Sequence, residues 1–391
     1  LKKIFALLPL FIFTAFGSSL DEHGYLRGMY VGDKDATATA IGGSVGIAPS
    51  FGNIKTQVDF YTVAPLGVKD DAAARLFSYD KNGYSVLGVA ALGYQKDGLS
   101  ILAGRQKVVT PLIDMDDGRI IPNLFEGVSL KYDINDNNKL EAYYLTKMSG
   151  FWSQIYNGED MGRFVSMSKA AGYGNVVSNA AVLAIGATHK NSDSKLTGWM
   201  YHSPNLINLL YAEYQKNIAL SKLTTLEMSL QGTKQSANGT LKEYLDRNDK
   251  TLNQDYAAVK LGFTHDKLSV YAAAAKISDA KGRLDKNMMN VWAGIPQYTV
   301  LNEHVMKSFD TDGAKMYKGC AGYKFTSQTE ATASYLYVDT LKSKGAVDTA
   351  VTELVLSTKT KNFSLNGVFL FRNDNNENKN SILKSTVEYR F

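Results

Sequence analysis

Asp116, Asp117 and Arg119 put two carboxylates and a guanidinium within four positions. Charges of both signs at this spacing can orient a dipolar solute or clamp a loop. With Gly118 they can also simply build a turn, because Asp and Gly accept turn geometry readily. Asp114, Asp116 and Gly118 match a fragment of a calcium loop. The further oxygen ligands and the closing Glu are not where such a loop needs them. The histidines (His23, His189, His202, His265 and His304) form neither an i,i+4 pair nor an HExxH pattern, so a zinc site is unsupported. There is no GxSxG and no phosphate-cradling loop, and no nucleotide or redox cofactor is expected. His202-Ser203 is the nearest approach to a base beside a nucleophile. Cys320 is the single cysteine, which excludes a disulfide framework and an all-Cys metal site.

A second set of charges is spread along the chain: Lys131, Lys318, Lys324, Lys359, Arg372, Lys384 and Arg390. Each lies on the polar parity of a segment that alternates with period two, the signature of a strand with one apolar face. In 382–391, Leu383, Ser385, Val387, Tyr389 and Phe391 share one parity, and Ile382, Lys384, Thr386, Glu388 and Arg390 the other. Phe363, Leu365, Gly367, Phe369 and Phe371 oppose Ser364, Asn366 and Arg372; Tyr317, Gly319, Ala321, Tyr323 and Phe325 oppose Lys318, Cys320 and Lys324.

These segments run about 9–13 residues, near the roughly 9–11 that a tilted strand needs to cross a bilayer and beyond the usual soluble strand of about 5–6. Aromatics gather at segment ends, as interfacial girdles require; Tyr84 and Tyr94, Tyr143-Tyr144, Tyr335 and Tyr337, and Tyr389 with Phe391 are examples. About eighteen such segments fit between Tyr25 and Phe391. Tight turns such as 96–98, 135–138 and 191–194 alternate with long connections at 64–82, 108–124, 148–178, 235–252, 278–313 and 339–348. This pattern predicts an all-β fold, a transmembrane antiparallel β-barrel of about 18 strands. Short turns would be periplasmic and long loops extracellular. A strand in lipid must have its backbone groups paired, so the sheet must close. A barrel of this size is too wide for side chains to fill. With strands starting by Tyr25 there is no room for a separate plug, and narrowing must come from loops.

Lys2-Lys3, the apolar run 4–16 and Gly17-Ser18-Ser19 read as a secretory signal peptide over 1–19, leaving one barrel domain over 20–391. The formal net charge of +5 includes Lys2 and Lys3 and is too small to argue for nucleic acid.

The stretch Gly104-Arg105-Gln106-Lys107-Val108-Val109-Thr110-Pro111-Leu112, followed by Asp116-Asp117-Gly118-Arg119-Ile120-Ile121-Pro122-Asn123-Leu124-Phe125-Glu126-Gly127-Val128, resembles the OprD family of outer-membrane porins. The resemblance implies a strand end, a pore-constricting third loop and the next strand start. It also implies substrate-specific diffusion of small, often carboxylate-bearing solutes such as amino acids and peptides, past a narrow eyelet and a ladder of basic lumen residues. The chain is somewhat short for the family. On this reading Asp116, Asp117 and Arg119 face the pore, where opposed charges set up a transverse field. The seven basic residues above form the ladder, which Glu388 and Glu353 could neutralise. The alternatives from other classes are an outer-membrane barrel hydrolase and a structural or adhesive surface barrel. Expected partners are outer-membrane lipid and small polar or anionic solutes; a homotrimer is compatible, because a contact between copies would replace lipid on the same apolar face.

Overall fold

The computed structural model describes residues 21–69, 76–78, 81–151, 161–279, 292–301, 313–340, 347–374 and 379–391. The signal-peptide expectation over 1–19 lies outside them, as does His304.

The strands are β1 (Glu22–Gly32), β2 (Thr37–Ile47), β3 (Ser50–Phe51), β4 (Ile54–Lys69), β5 (Tyr84–Lys96), β6 (Leu99–Gln106), β7 (Leu124–Asn135), β8 (Asn138–Ser149), β9 (Val165–Ser166) and β10 (Val182–Lys190). They continue as β11 (Ser194–Ser203), β12 (Ile207–Ala219), β13 (Thr224–Ala237), β14 (Gln254–His265), β15 (Leu268–Ile277), β16 (Lys315–Lys324), β17 (Thr329–Asp339), β18 (Thr349–Lys359), β19 (Phe363–Asp374) and β20 (Lys379–Arg390). β3 and β9 are two-residue pieces. The other eighteen pair antiparallel, each with its neighbour in sequence, and β1 pairs with β20 to close the ring. Among the described residues two complete helices, α1 (Met167–Ala170) and α2 (Gly239–Asp246), lie in the long connections. None of the described helices is long and apolar enough to cross a membrane.

Local chemistry explains the elements. At the β5–β6 turn Asp97 and Gly98 both have positive φ, 49° and 80°, the geometry a two-residue hairpin needs. β4 runs on past Pro65, beyond the Val63 limit expected from the sequence. A register shift between Thr39 and Ala40 leaves Leu66 unmatched, and β5 stops opposite Val63, so the proline needs no N–H on that side.

The outward parity is apolar and exposed in the bare chain: Leu92, Leu130, Leu210, Leu230, Leu261, Leu356, Leu383 and Val387 are examples. Tyr94, Tyr132, Tyr323 and Tyr389 ring the rim of short turns, and Tyr144, Tyr317 and Tyr335 stand on the same face toward the loops. Tyr84 and Tyr143 depart from the expected girdle. A register shift beside Gly88 flips the parity of β5, so Tyr84 packs against the inner cluster while Tyr94 faces out. Tyr143 is buried on the inner face and donates to Glu141 Oε1 at 3.0 Å.

The inner face is buried mainly toward the loop rim, where long connections turn back into the barrel. There Leu112, Ile113, Tyr201, Leu209, Leu241 and Trp292 belong to one apolar cluster.

Candidate functional site

Segment 107–123 leaves the end of β6 and returns at β7. It begins as a small hairpin: Met115 N–H donates to Val108 O at 2.8 Å, and Thr110 N–H to Ile113 O at 2.8 Å. Its apolar residues are buried on two sides of the barrel. Leu112 and Ile113 pack on the β8–β13 side, where Leu112 N–H donates to Tyr201 Oη at 3.2 Å and Asp114 N–H to Trp292 O at 3.0 Å. Trp292 is anchored in turn by Nε1, which donates to Met167 O at 3.2 Å. Ile120 and Ile121 pack on the opposite side with Val31, Ala38, Ala40, Tyr61 and Val63. Small inward residues on β2 make room: a Cβ on Gly42 would lie 2.7 Å from Ile120 Cγ2. The segment therefore spans the lumen.

Its charged stretch ends on the β1–β20 seam. Arg27, 4% exposed on the inner face of β1, is the hub. Its guanidinium donates to Asp117 Oδ1 at 2.9 Å, Asp117 O at 3.1 Å and Glu388 Oε2 at 2.7 Å. Tyr25 Oη donates to Ile120 O at 2.6 Å, and Lys384 Nζ to Gly118 O at 2.8 Å. Arg119 pairs with Asp116 at 2.9 Å and lies 3.8 Å over the Phe151 ring. At the other end of the segment Lys107 approaches the buried Asp59 at 3.5 Å. Burial, reinforced by the charges of Asp116 and Asp117, pushes the Asp114 carboxyl up to about 6 against the N–H that Asp116 donates to it.

The basic residues expected to line the lumen do face inward but fall into separate groups. Lys384 reaches the constricting segment, and Arg390 pairs with Glu388. Lys318 donates to Val300 O, part of the 292–301 segment folded into the barrel. Lys324 and Lys359 share a concavity of about 390 Å³ toward the turn rim with Glu330 and Asn366. Arg372 stands opposite Val351 and Asn380, higher on the wall. Lys131 lies away from these, 3.8 Å from Glu141. Lys318 and Cys320 line a second polar concavity of about 430 Å³ with Tyr271, Ser334 and Asn366.

Arg27, Lys107 and Phe151 were not among the residues expected to bear on the constriction. Arg27 alternates with Leu26 and Gly28, so the same parity rule flags its face. Its partners could not be read, because they lie 90 and 361 positions away. Arg105 is on the outer face beside Glu126 (3.6 Å) and over the Phe164 ring (4.3 Å), next to a register shift between Glu126 and Gly127. His202 and Ser203 point to opposite faces, His202 to Asn208 Oδ1 at 2.7 Å and Ser203 to Ala181 O at 2.8 Å, so they form no dyad. Among the described residues no group of three or more His, Cys, Asp or Glu side chains converges as a metal site.

No family model and no curated protein matches the sequence. Solved structures do match in fold. Pseudomonas aeruginosa OccD3 (OpdP) superposes with a TM-score of 0.73 at 13% identity, over 96% of this chain and 91% of that one. Acinetobacter baumannii OccAB1 gives 0.77 at 12%, over 95% and 96%. Pseudomonas aeruginosa OpdK, solved with vanillate, gives 0.76 at 12%, over 95% and 98%. The architecture is that of an eighteen-stranded outer-membrane porin barrel. Within that class it is the fold of the OprD/Occ channels, the family that residues 104–128 resemble.

Proposed function

We propose that this protein is an outer-membrane channel through which small hydrophilic solutes diffuse passively, with partial selectivity for amino acids, small peptides or carboxylates. The observation that carries it is the 107–123 segment, which crosses a lumen too wide for wall side chains to fill and is tied at both ends. A structural or adhesive barrel has no need of such an internal, charge-bearing crossbar. Carboxylates are favoured as solutes because Lys318, Lys324, Lys359, Arg372 and Lys384 bring cations to the β16–β20 side of the passage, with Arg119 on the segment that crosses it, lowering the cost of a partly dehydrated anion. The bound vanillate of OpdK, an aromatic carboxylate, belongs to the same chemical class.

Planar-bilayer recording tests the reading. Stepwise single-channel currents are expected; a silent bilayer from correctly folded protein, with ester hydrolysis in solution, would replace it with the hydrolase reading. Liposome swelling with amino acids, dicarboxylates and sugars tests selectivity. The double variant Arg119→Ala/Arg372→Ala should slow the carboxylates more than the sugars; equal rates would remove the basic residues from the selectivity mechanism.

A further inference from the structure

The outer wall carries an apolar groove across β12–β16 with two lysines at one end. Its floor is made of small residues, Gly232, Ala257 and Ala274, and its sides of Leu230, Val259 and Tyr317. Its volume is about 610 Å³. At its loop-rim end stand Lys276 and Lys315, both exposed on the outward parity of β15 and β16.

These lysines are direct cross-strand partners, which sets their Cβ atoms about 5 Å apart. Like charges in that position repel, and nearby acids do little to relieve them. Asp339 Oδ2 is 4.0 Å from Lys315 Nζ. Asp255, one strand away on the same face, is already opposite Lys234. Lys276 has no ion pair among the described residues. Of the other outward lysines near this rim, Lys147 is held by Glu126 at 2.7 Å and Lys234 faces Asp255 across the strands. A lysine pair with a single long ion pair, Lys315 to Asp339, standing over an apolar trough calls for an anion with a hydrocarbon tail.

We propose that this groove is a specific site for a phosphate-bearing lipid of the leaflet on the loop side. The phosphate bridges Lys276 and Lys315, whose stems reach up to headgroup level. One acyl chain lies down the trough over Ala274, Ala257 and Gly232. The site rests on the membrane-embedded reading above, but not on conduction, because neither lysine faces the lumen.

Native mass spectrometry of the detergent-purified protein with diphosphoryl lipid A tests it. The wild type is expected to retain one lipid molecule. Retention should fall about tenfold in Lys276→Gln/Lys315→Gln, and as far when the phosphates are removed from the lipid. Lys276→Arg/Lys315→Arg should restore binding. Ala274→Trp, which fills the trough and leaves the lysines, should weaken it too. Heat-dependent gel migration confirms that each variant folds. Equal retention by wild type and the glutamine variant overturns the proposal. So does unaltered binding by Ala274→Trp with full displacement by inorganic phosphate, or a stable assembly of copies that excludes the lipid. Single-channel currents recorded on the same samples keep the two readings apart: loss of conduction in all of them would fail the channel while leaving the lipid result standing.

Discussion

The constricting segment is held at two places by opposite chemistry. On the β8–β13 side Leu112 and Ile113 sink into an apolar cluster against Trp292 and Tyr201. On the β1–β20 side Asp117, Gly118 and Ile120 are gripped by Arg27, Lys384 and Tyr25. The first attachment gains mainly from excluded water, with the hydrogen bonds from Leu112 to Tyr201 and from Asp114 to Trp292 aligning it. The second is directional: Arg27 ties Asp117 and Glu388 together through separate N–H groups of a rigid planar fork, a fixed geometry that a compact, freely rotating ammonium does not supply. The apolar end fixes how strongly the segment is bound; the polar end fixes where its charges point.

The largest expected effect comes from Arg27→Ala. It strips Asp117 of its cation and leaves the 3%-exposed Glu388 with Arg390 alone, which costs at most about 3–5 kcal/mol, the figure for a buried pair broken on one side. The charged stretch then loses its tether, and single-channel conductance should rise by about twofold or more, since the gap at the constriction sets conduction. Arg27→Lys should recover only part of this. If conductance is unchanged in a folded Arg27→Ala variant, the polar end is not what sets the opening.

Trp292→Ala attacks the other end. Emptying a fully buried indole site should cost about 3–5 kcal/mol in denaturant unfolding, with less effect on ion selectivity than Arg27→Ala. A larger shift in selectivity than in stability would reverse the division of labour between the two ends.

Asp114 links the ends and gives a pH test. Because its carboxyl is raised to about 6, the folded segment holds its proton more tightly than an unfolded chain. Its contribution to stability is therefore present below the ordinary carboxylate value and is lost as pH rises through about 6. Acidification from pH 7 to 5 removes one negative charge from the segment. The reversal potential should move toward anions, and Asp114→Asn should abolish that movement.

The smallest effect is expected from Lys131→Ala. This half-exposed lysine is shared with Glu141, and solute flux should change by less than about twofold.

Most of the barrel was legible because it is written in a local rule. Alternation placed all eighteen long strands and put Lys384, Arg372 and Lys324 on the inner face, since lipid and water impose opposite demands on adjacent residues. The rule failed where the backbone gained an unmatched residue, which is why Tyr84 was placed on the wrong face. It also stopped too early at Pro65, where an unpaired side made proline tolerable. The constricting segment could be located from 104–128, but its fastenings could not. Arg27 meets Asp117, and Trp292 meets Ile113, only after the ring has closed, and no periodicity encodes such meetings. The loop 278–313, with Trp292 and Tyr298, could be read as folding inward or outward, and the inward fold of 292–301 could not be decided for the same reason.

The pairing of β1 with β20 has a consequence for assembly. Phe391 exchanges backbone hydrogen bonds with Gly24 in both directions, at 3.1 and 3.2 Å, and a Cβ at Gly24 would come 2.7 Å from the Phe391 ring. These contacts join the first of the described strands to the end of the last. They form only once β20 is in place, so the free edge of β1 stays open until that strand arrives. Joining such distant segments carries a large loop entropy, which predicts that the last step of biogenesis is slow and that a chaperone or insertion machine must shield the waiting edge.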